Sequence, residues 1–226
     1  MSERISISGF TQAEGTQDWR VLGDGATAFF RTRSFETSAS LVAAIAPLAD
    51  QHGRPPDVDI RAAGVTVRVL TLTADYMGLT TDDLELARTI SRIAREQGAG
   101  ADTDELQSLT VIVGAPRPHE VLPFWRTVMG YEPRPDSPEE DLVDPAGRLA
   151  PIWLEGMEAP RADGGGSIHL TMWVPPENAQ TRIRAAVAAG GRIVRDADAP
   201  SWVTLADPAG NECDVATTSA PTRDVT

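Results

Sequence analysis

Histidine occurs only three times in this chain of 226 residues, at positions 52, 119 and 169. Imidazole exchanges a proton near neutral pH, so these positions are where acid–base chemistry would be sought. His169 stands in the most regular pattern. Across residues 167–174, His169, Thr171 and Trp173 fall on one face of an extended strand, and Ile168, Leu170, Met172 and Val174 on the other. The apolar face calls for a helical cover, which leaves the polar face to line a cavity. The same alternation groups Trp153 with Glu155, and Glu212 with Asp214. Facing strands would bring Glu155 and Asp214 within a few ångströms of His169, with Glu212 a second candidate acid one pleat away. Two carboxylates so close are tolerated only with a cation, a proton or a histidine between them. Trp153, Trp173 and Trp202 are either ordinary core or, on a face that also bears Thr171, an aromatic wall for a planar ligand. His119 reads as a helix-start residue and Cys213 as a small residue on the outer face of the last strand.

A second titratable group comprises Asp50, His52 and Asp83. Asp83 sits three residues after Thr80, the capping-box position, and Leu79 can staple onto Leu84, so helix capping explains it. Asp50 has an ordinary reading as a solvated helix residue. His52 has one as a helix-end imidazole facing the dipole, against the alternative that it swings into a pocket. Arg54 stays protonated and cannot serve as a base.

The elements that must position these residues fall into two halves. In the first, strands are expected at 26–32, 57–60 and 65–71, and helices at 37–51 and from Thr80 through Ile93. Pro47 should kink or shorten the first helix. The small, acidic stretch at 97–105 has no apolar face and reads as a linker. This divides the chain into domains 1–97 and 107–226, with 98–106 between them. In the second half, strands are expected at 109–113, 151–155, 167–174, 203–206 and 212–216. Helices are expected at 121–129, stopped by Gly130, and at 178–189, ended by Gly190-Gly191. The order is a βαβββ unit written twice.

Composition excludes some partners. Lys and Arg number 20 against 33 Asp and Glu, a net charge of -13, which repels phosphate backbones and anionic lipid. Nucleic acid and membrane are therefore not expected. A single cysteine forms no internal disulfide, and neither a signal-like run nor a membrane-length segment is present. The expectation is a soluble, cytoplasmic protein.

The stretch Asp50-Gln-His-Gly-Arg-Pro-Pro-Asp-Val-Asp-Ile-Arg61, with Gly64-Val-Thr-Val-Arg68 and Gly78-Leu-Thr-Thr-Asp-Asp83, resembles the pterin-4a-carbinolamine dehydratases. The motifs Pro123-Phe-Trp-Arg-Thr-Val-Met-Gly-Tyr131, Ile168-His-Leu-Thr-Met-Trp-Val174 and Ala206-Asp-Pro-Ala-Gly-Asn-Glu212 resemble the glyoxalase-like, or vicinal-oxygen-chelate, fold. Together the resemblances cover nearly the whole chain and look like a bacterial fusion of the two. They imply an α+β fold: a dehydratase-like antiparallel sheet with two helices, followed by a glyoxalase-like domain of paired βαβββ units.

The dehydratase resemblance implies dehydration of a 4a-hydroxypterin by imidazoles. The family's His-His-Pro stands where this chain reads Arg54-Pro55-Pro56. Its Thr-His stands at Thr71-Leu72 or, counted back from Gly78, at Thr73-Ala74. Asp50 and Asp83 survive at matching positions. Arg54, His52 and Tyr76 would border the pocket, and the insertion that carries Tyr76 and Met77 either reshapes it for another ligand or plugs it. In the second domain the resemblance places metal positions at Thr110, Glu155, His169 and Asp214. Thr110 departs from the pattern. Glu155, His169 and Asp214 would suit a divalent ion such as manganese, iron(II) or zinc, acting as a Lewis acid. The alternative is a metal-free cup in which Glu155 and His169 form a hydrogen-bonded pair.

Three functions follow. One is a divergent lyase or isomerase related to 4a-hydroxytetrahydrobiopterin dehydratase, acting on a planar or cyclic small molecule. Another is a sequestration protein of the bleomycin-resistance type. The third is a structural role with the first domain as a homo-oligomerisation module.

Overall fold

A computed structural model of the chain describes residues 2–52, 55–157, 168–206 and 212–219. The chain divides into two compact units, Met1–Leu106 and Gln107–Thr226. No helix among the described residues is long and apolar enough to cross a membrane.

The first unit begins with a short helix, α1 (Ile7–Thr11). Its antiparallel sheet comprises β1 (Arg20–Val21), β2 (Ala26–Arg31), β3 (Asp57–Arg61) and β4 (Gly64–Val69), in the order β1-β2-β4-β3. Two helices complete it, α2 (Phe35–His52) and, later in the chain, α3 (Thr81–Glu96). Ala28, Phe30, Val65 and Val67 of the sheet share one core with Leu41 and Ile45 of α2 and Leu86 and Ile90 of α3. Helix α2 runs through Pro47, where the sequence predicts a kink or an early stop. Pro47 and Ala43, whose carbonyl loses its helical partner, are both exposed, so that carbonyl opens to solvent. Leu41, Ile45 and Leu48 hold the opposite stripe in the core.

The extra residues after β4 form a separate hairpin, β5 (Thr71–Thr73) with β6 (Tyr76–Gly78). The N-terminal chain runs alongside its exit: Ile5 N–H donates to Leu79 and Thr81 N–H to Glu3, each at 2.9 Å.

Segment 98–106 is not a free linker. Gly100–Ala101 forms β7, paired antiparallel with the end of β2, and Ala99 and Leu106 are buried. Arg31 holds the segment through Asp102 and Glu105, each at 2.7 Å. Backbone pairing and one arginine make this attachment, and neither leaves an apolar period in the sequence.

The second unit runs β8 (Ser108–Ala115), α4 (Pro118–Met129), β9 (Glu132–Pro133), β10 (Asp141–Val143), β11 (Ile152–Gly156), then β12 (Ile168–Trp173), α5 (Pro176–Ala188), β13 (Arg192–Arg195), β14 (Trp202–Ala206), β15 (Glu212–Ala216). This is the expected βαβββ order twice. All ten strands and helices but the two helices enter one sheet, ordered β13-β14-β15-β12-β8-β11-β10-β9. The first strands of the halves, β8 and β12, lie antiparallel at its centre. The repeat also shows in the sequence: Asp144-Pro-Ala-Gly147 and Asp207-Pro-Ala-Gly210 each precede the last strand of a half. The second copy lies outside the described residues. In the first, the Asp144 carboxylate accepts from the backbone N–H groups of Ala146, Arg148 and Leu149 and is held below the usual carboxylate range.

Both helices lie on one face of the sheet. Helix α4 puts Val121, Leu122 and Trp125 against Val113, Leu142, Ile152 and Leu154, and ends at Gly130 in the left-handed conformation (φ 67°). Helix α5 puts Ala179 and Ile183 against Val174, Val203, Leu205 and Val215. The expectation that a helix covers the whole apolar face of β12 holds only at Met172 and Val174. Ile168 and Leu170 remain 48% and 45% exposed, because the first half of β12 belongs to neither cluster.

The Arg31 attachment is testable. Arg31→Ala should speed cleavage at Glu105 by a glutamate-specific protease about twofold or more, the scale of an exposed ion-pair network. An unchanged rate would show that backbone pairing alone retains the segment.

Candidate functional site

Strand register builds the polar face of the second unit. In β12, Thr171 pairs with Thr110 on β8 and with Asp214 on β15, and Asp214 pairs with Thr204 on β14. A row of three threonines and one aspartate therefore crosses four strands. All four are buried, Asp214 with only 7% exposure, although the helices lie on the other face. In the next row, His169 is level with Ile112 on β8, which is level with Trp153 on β11. Trp202 and Trp173 flank Ala216 in the row on the other side.

His169 Nε2 faces Asp214 Oδ2 at 3.4 Å, the distance of an ion pair rather than a tight hydrogen bond. The Thr204 hydroxyl donates to the other carboxylate oxygen, Oδ1, at 2.6 Å. The Asp214 carboxylate, with Glu155 and Glu212 adding in the same sense, raises the His169 imidazole above its ordinary value, while partial burial opposes the rise. Burial acts most strongly on Asp214 and would raise it. The His169 contact, the Thr204 hydrogen bond and the charges of His169 and Arg195 outweigh burial and leave Asp214 lowered. Trp153 and Trp173 meet edge to face, with ring centroids 6.1 Å apart. The Trp173 indole N–H donates to the Thr110 hydroxyl at 3.0 Å, whereas the buried Trp153 N–H has no hydrogen-bond partner among the described residues. Cys213 lies on the opposite face beside Leu170, half-buried, and burial keeps its thiol above the usual value.

The expected metal triad of Glu155, His169 and Asp214 is not formed. Among the described residues, no group of three or more His, Cys, Asp or Glu side chains converges on a common ion position. The donor set explains this. Asp214 is spent on His169 and Thr204, the Thr110 hydroxyl on Trp173, and Glu155 is an exposed residue near the end of β11. The alternative Glu155–His169 hydrogen bond is also replaced: the imidazole's partner is Asp214, and Glu155 acts on it through charge.

In the first unit, Asp83 is a buried helix cap. Its Oδ2 accepts from Thr80 N–H at 2.8 Å, from the Thr80 hydroxyl at 2.7 Å and from the Thr71 hydroxyl at 2.6 Å. The capping box at the start of α3 is thus complete. Leu72 projects from the hairpin, exposed, and neither it nor Ala74 can move a proton. Tyr76 does not present its hydroxyl to a pocket. The hydroxyl donates to the Leu79 carbonyl at 2.7 Å, and Arg4 lies over its ring at 4.3 Å. The side chains of Asp50 and His52, at the end of α2, and the whole of Arg54 lie outside the described residues. Sequence reasoning missed Thr204, although the alternation of 202–206 sets it on the same face as Trp202.

The architecture is that of an antiparallel α+β unit followed by a paired βαβββ unit. Residues 6–93 match the family model for pterin 4 alpha carbinolamine dehydratase, and residues 110–216 match that for a glyoxalase-like domain. The chain is 36% identical over 85 residues to a "Putative pterin-4-alpha-carbinolamine dehydratase" of Nocardia farcinica, which spans 38% of this chain and 87% of that protein. Through this half the chain belongs to the pterin-4a-carbinolamine dehydratase family, and it carries a glyoxalase-like domain behind it. Among solved structures, a transcriptional coactivator/pterin dehydratase from Brucella melitensis aligns with 25% identity and a TM-score of 0.37 over 41% of this chain and 99% of its own. A glyoxalase/bleomycin resistance protein/dioxygenase superfamily member from Vibrio splendidus aligns with 14% identity and a TM-score of 0.34 over 50% of this chain and 99% of its own.

Two outcomes are expected. Asp83→Ala should destabilise the first unit by about 1–2 kcal/mol in chemical denaturation, since it removes the cap of α3; a smaller loss would mean that Thr71 and Thr80 repair the cap. In the second unit, the raised His169 contributes stability that is complete below its unfolded value of 6.5 and lost as pH rises through its folded value. The lowered Asp214 contributes stability that is complete above 3.8 and lost as pH falls through its folded value. The pair's full contribution therefore lies between those two values. NMR titration of Asp214→Asn should show the His169 midpoint falling, and the stability deficit of the variant should narrow above neutral pH. An unmoved midpoint would show that the two side chains do not interact in solution.

Proposed function

We propose that the protein binds a planar or cyclic small molecule on the polar face of the second unit. His169, backed by Asp214 and Thr204, moves a proton on that molecule in a lyase- or isomerase-type reaction. The observation that carries this reading is the series His169–Asp214–Thr204 on the face that also bears the Trp153–Trp173 pair. An imidazole can both take and return a proton, and the Asp214 carboxylate beside it favours the protonated ring. Asp214 would orient the ring and stabilise its protonated form, and Thr204 would keep the carboxylate in place. The tryptophan pair would supply the flat apolar contact.

The first unit supports this division of labour. Of its two surviving acids, Asp83 is committed to three donors, two from Thr80 at the helix start and one from Thr71. Positions 54–56 hold arginine and two prolines, none of which exchanges a proton at working pH. The first unit thus acts as a scaffold derived from a dehydratase, without the family's reaction. The tryptophan pair also suits a second reading, sequestration, because it holds a ligand without reacting with it.

Mass spectrometry of the molecule extracted from purified protein identifies the ligand. Wild-type protein should convert it over time. His169→Asn should retain binding and lose about 10²–10⁴-fold in rate. Ligand bound but never converted would select sequestration. Normal conversion by His169→Asn, or ordinary turnover of a 4a-hydroxypterin by the wild type, would overturn the proposal.

A further inference from the structure

The first unit has a cavity of its own. It measures about 390 Å³ and lies where the end of β2 meets the segment behind α3. Arg31, Thr32 and Arg33 line one side, and Gly98, Gly100 and Asp102 line the other. All six are described residues of this unit. A volume of this size suits a small molecule rather than a bare ion.

Arg33 is the charge that this cavity offers. The chain contains no lysine, so arginine supplies its permanent side-chain cations. Among the described residues of the first unit, every arginine but Arg33 has a carboxylate or carbonyl partner. At Arg31, Asp102 accepts from Nε and Nη2 at 3.2 and 2.7 Å, and Glu105 accepts from Nη2 at 2.7 Å. Both acids on this side of the cavity are thereby held to Arg31. Glu36, in the first turn of α2, forms no ion pair with Arg33. The end of α3 offers an anion little opposition, because the N–H groups of Gly98 and Ala99 turn back onto the carbonyls of Arg95 and Ala94.

The glycines supply room. Gly98 is required by conformation, since it is left-handed (φ 72°) just past α3. Gly100 is not. It lies in β7 level with Arg31, its φ is not left-handed, and a Cβ built on it meets nothing within 4 Å. Neither the backbone nor the packing calls for glycine there, and a bare strand position lets a ligand approach the main chain closely.

We propose that this cavity binds the oxyanion group of a small molecule, a carboxylate or a phosphate, with Arg33 as its cation and the bare main chain at Gly98 and Gly100 as its wall. A guanidinium matches an oxyanion in shape as well as charge, because two parallel N–H donors meet two oxygens. A cationic ligand would instead meet Arg33 with no free carboxylate in the lining. The occupant touches both β2 and β7, so it adds a tie between the sheet and the segment that Arg31 already holds. This site shares no residue with the polar face of the second unit and stands or falls without it.

The test follows the amide signals of Gly98, Gly100 and Ala101 by NMR in the full chain at fixed, low ionic strength. Acetate and inorganic phosphate probe the group alone, and acetamide is the uncharged match for acetate. One oxyanion or both should shift these signals to saturation while acetamide does not, and the tighter of the two identifies the group. Arg33→Ala should weaken binding about tenfold or more, the scale of hydrogen bonds to a charged partner. Gly100→Val occupies the cavity without straining the backbone and should abolish binding, with thermal melting checking the fold. Arg182→Ala removes an arginine that is exposed on α5 and unpaired among the described residues, and it should change nothing. The proposal is overturned if acetamide acts like acetate, if no signal saturates, or if Arg33→Ala or a folded Gly100→Val binds normally. It is also overturned if Arg182→Ala weakens binding as much as Arg33→Ala, which would mark a response to net charge alone.

Discussion

The antiparallel pairing of β8 with β12 is the constraint on which the second unit depends. It joins the two βαβββ halves, and its register decides which side chains share a face. Thr171 opposite Thr110 and His169 opposite Ile112 place every second residue of both strands on the polar side. A slip of one residue would turn His169, Thr171 and Trp173 toward α5 and expose Met172 and Val174. The pairing is protected against that slip because Val113 belongs to the core under α4 and Val174 to that under α5. Two small cores, each made by one helix, thus hold the central pair in a single register.

Among the described residues each unit buries one aspartate, and the two solve the same problem differently. A carboxylate removed from water must recover its hydrogen bonds. Asp83 recovers them at one oxygen, from the Thr80 N–H at a helix N-terminus and from the hydroxyls of Thr80 and of Thr71 on the neighbouring hairpin. Asp214 receives one hydroxyl, from Thr204, and faces an imidazole with its other oxygen. The first arrangement is closed and serves the fold. The second leaves one ring nitrogen of His169 for something else, which is why chemistry is sought there and not at Asp83.

Much of this was legible beforehand. The βαβββ order, the capping box of Thr80 and Asp83 and the stop at Gly130 depend on neighbours within a few residues, and their signals are local. The shared face of His169, Thr171 and Trp173 follows from the two-residue period of any strand. Other readings failed where attachment or cover is made by distant residues. The 98–106 segment lacks an apolar stripe, yet β2 and Arg31 hold it. Ile168 and Leu170 have the pattern of covered residues, yet neither helix reaches them.

The sequence by itself determined the types of side chain on the polar face and which strand carries each, because alternation and composition are properties of the chain. It also determined that positions 54–56 of the first unit hold no imidazole. Only the tertiary structure decided which acid meets His169. Glu155, Glu212 and Asp214 are equally acidic in sequence, and each faces the right way. The parallel register of β12 with β15 sets Asp214 beside Thr171, diagonal to His169, with Thr204 behind it. The parallel register of β11 with β8 sets Glu155 across from Gly114, toward the outer end of the sheet. Partner choice is a matter of ångströms between strands far apart in the chain, and no pattern along one strand encodes it.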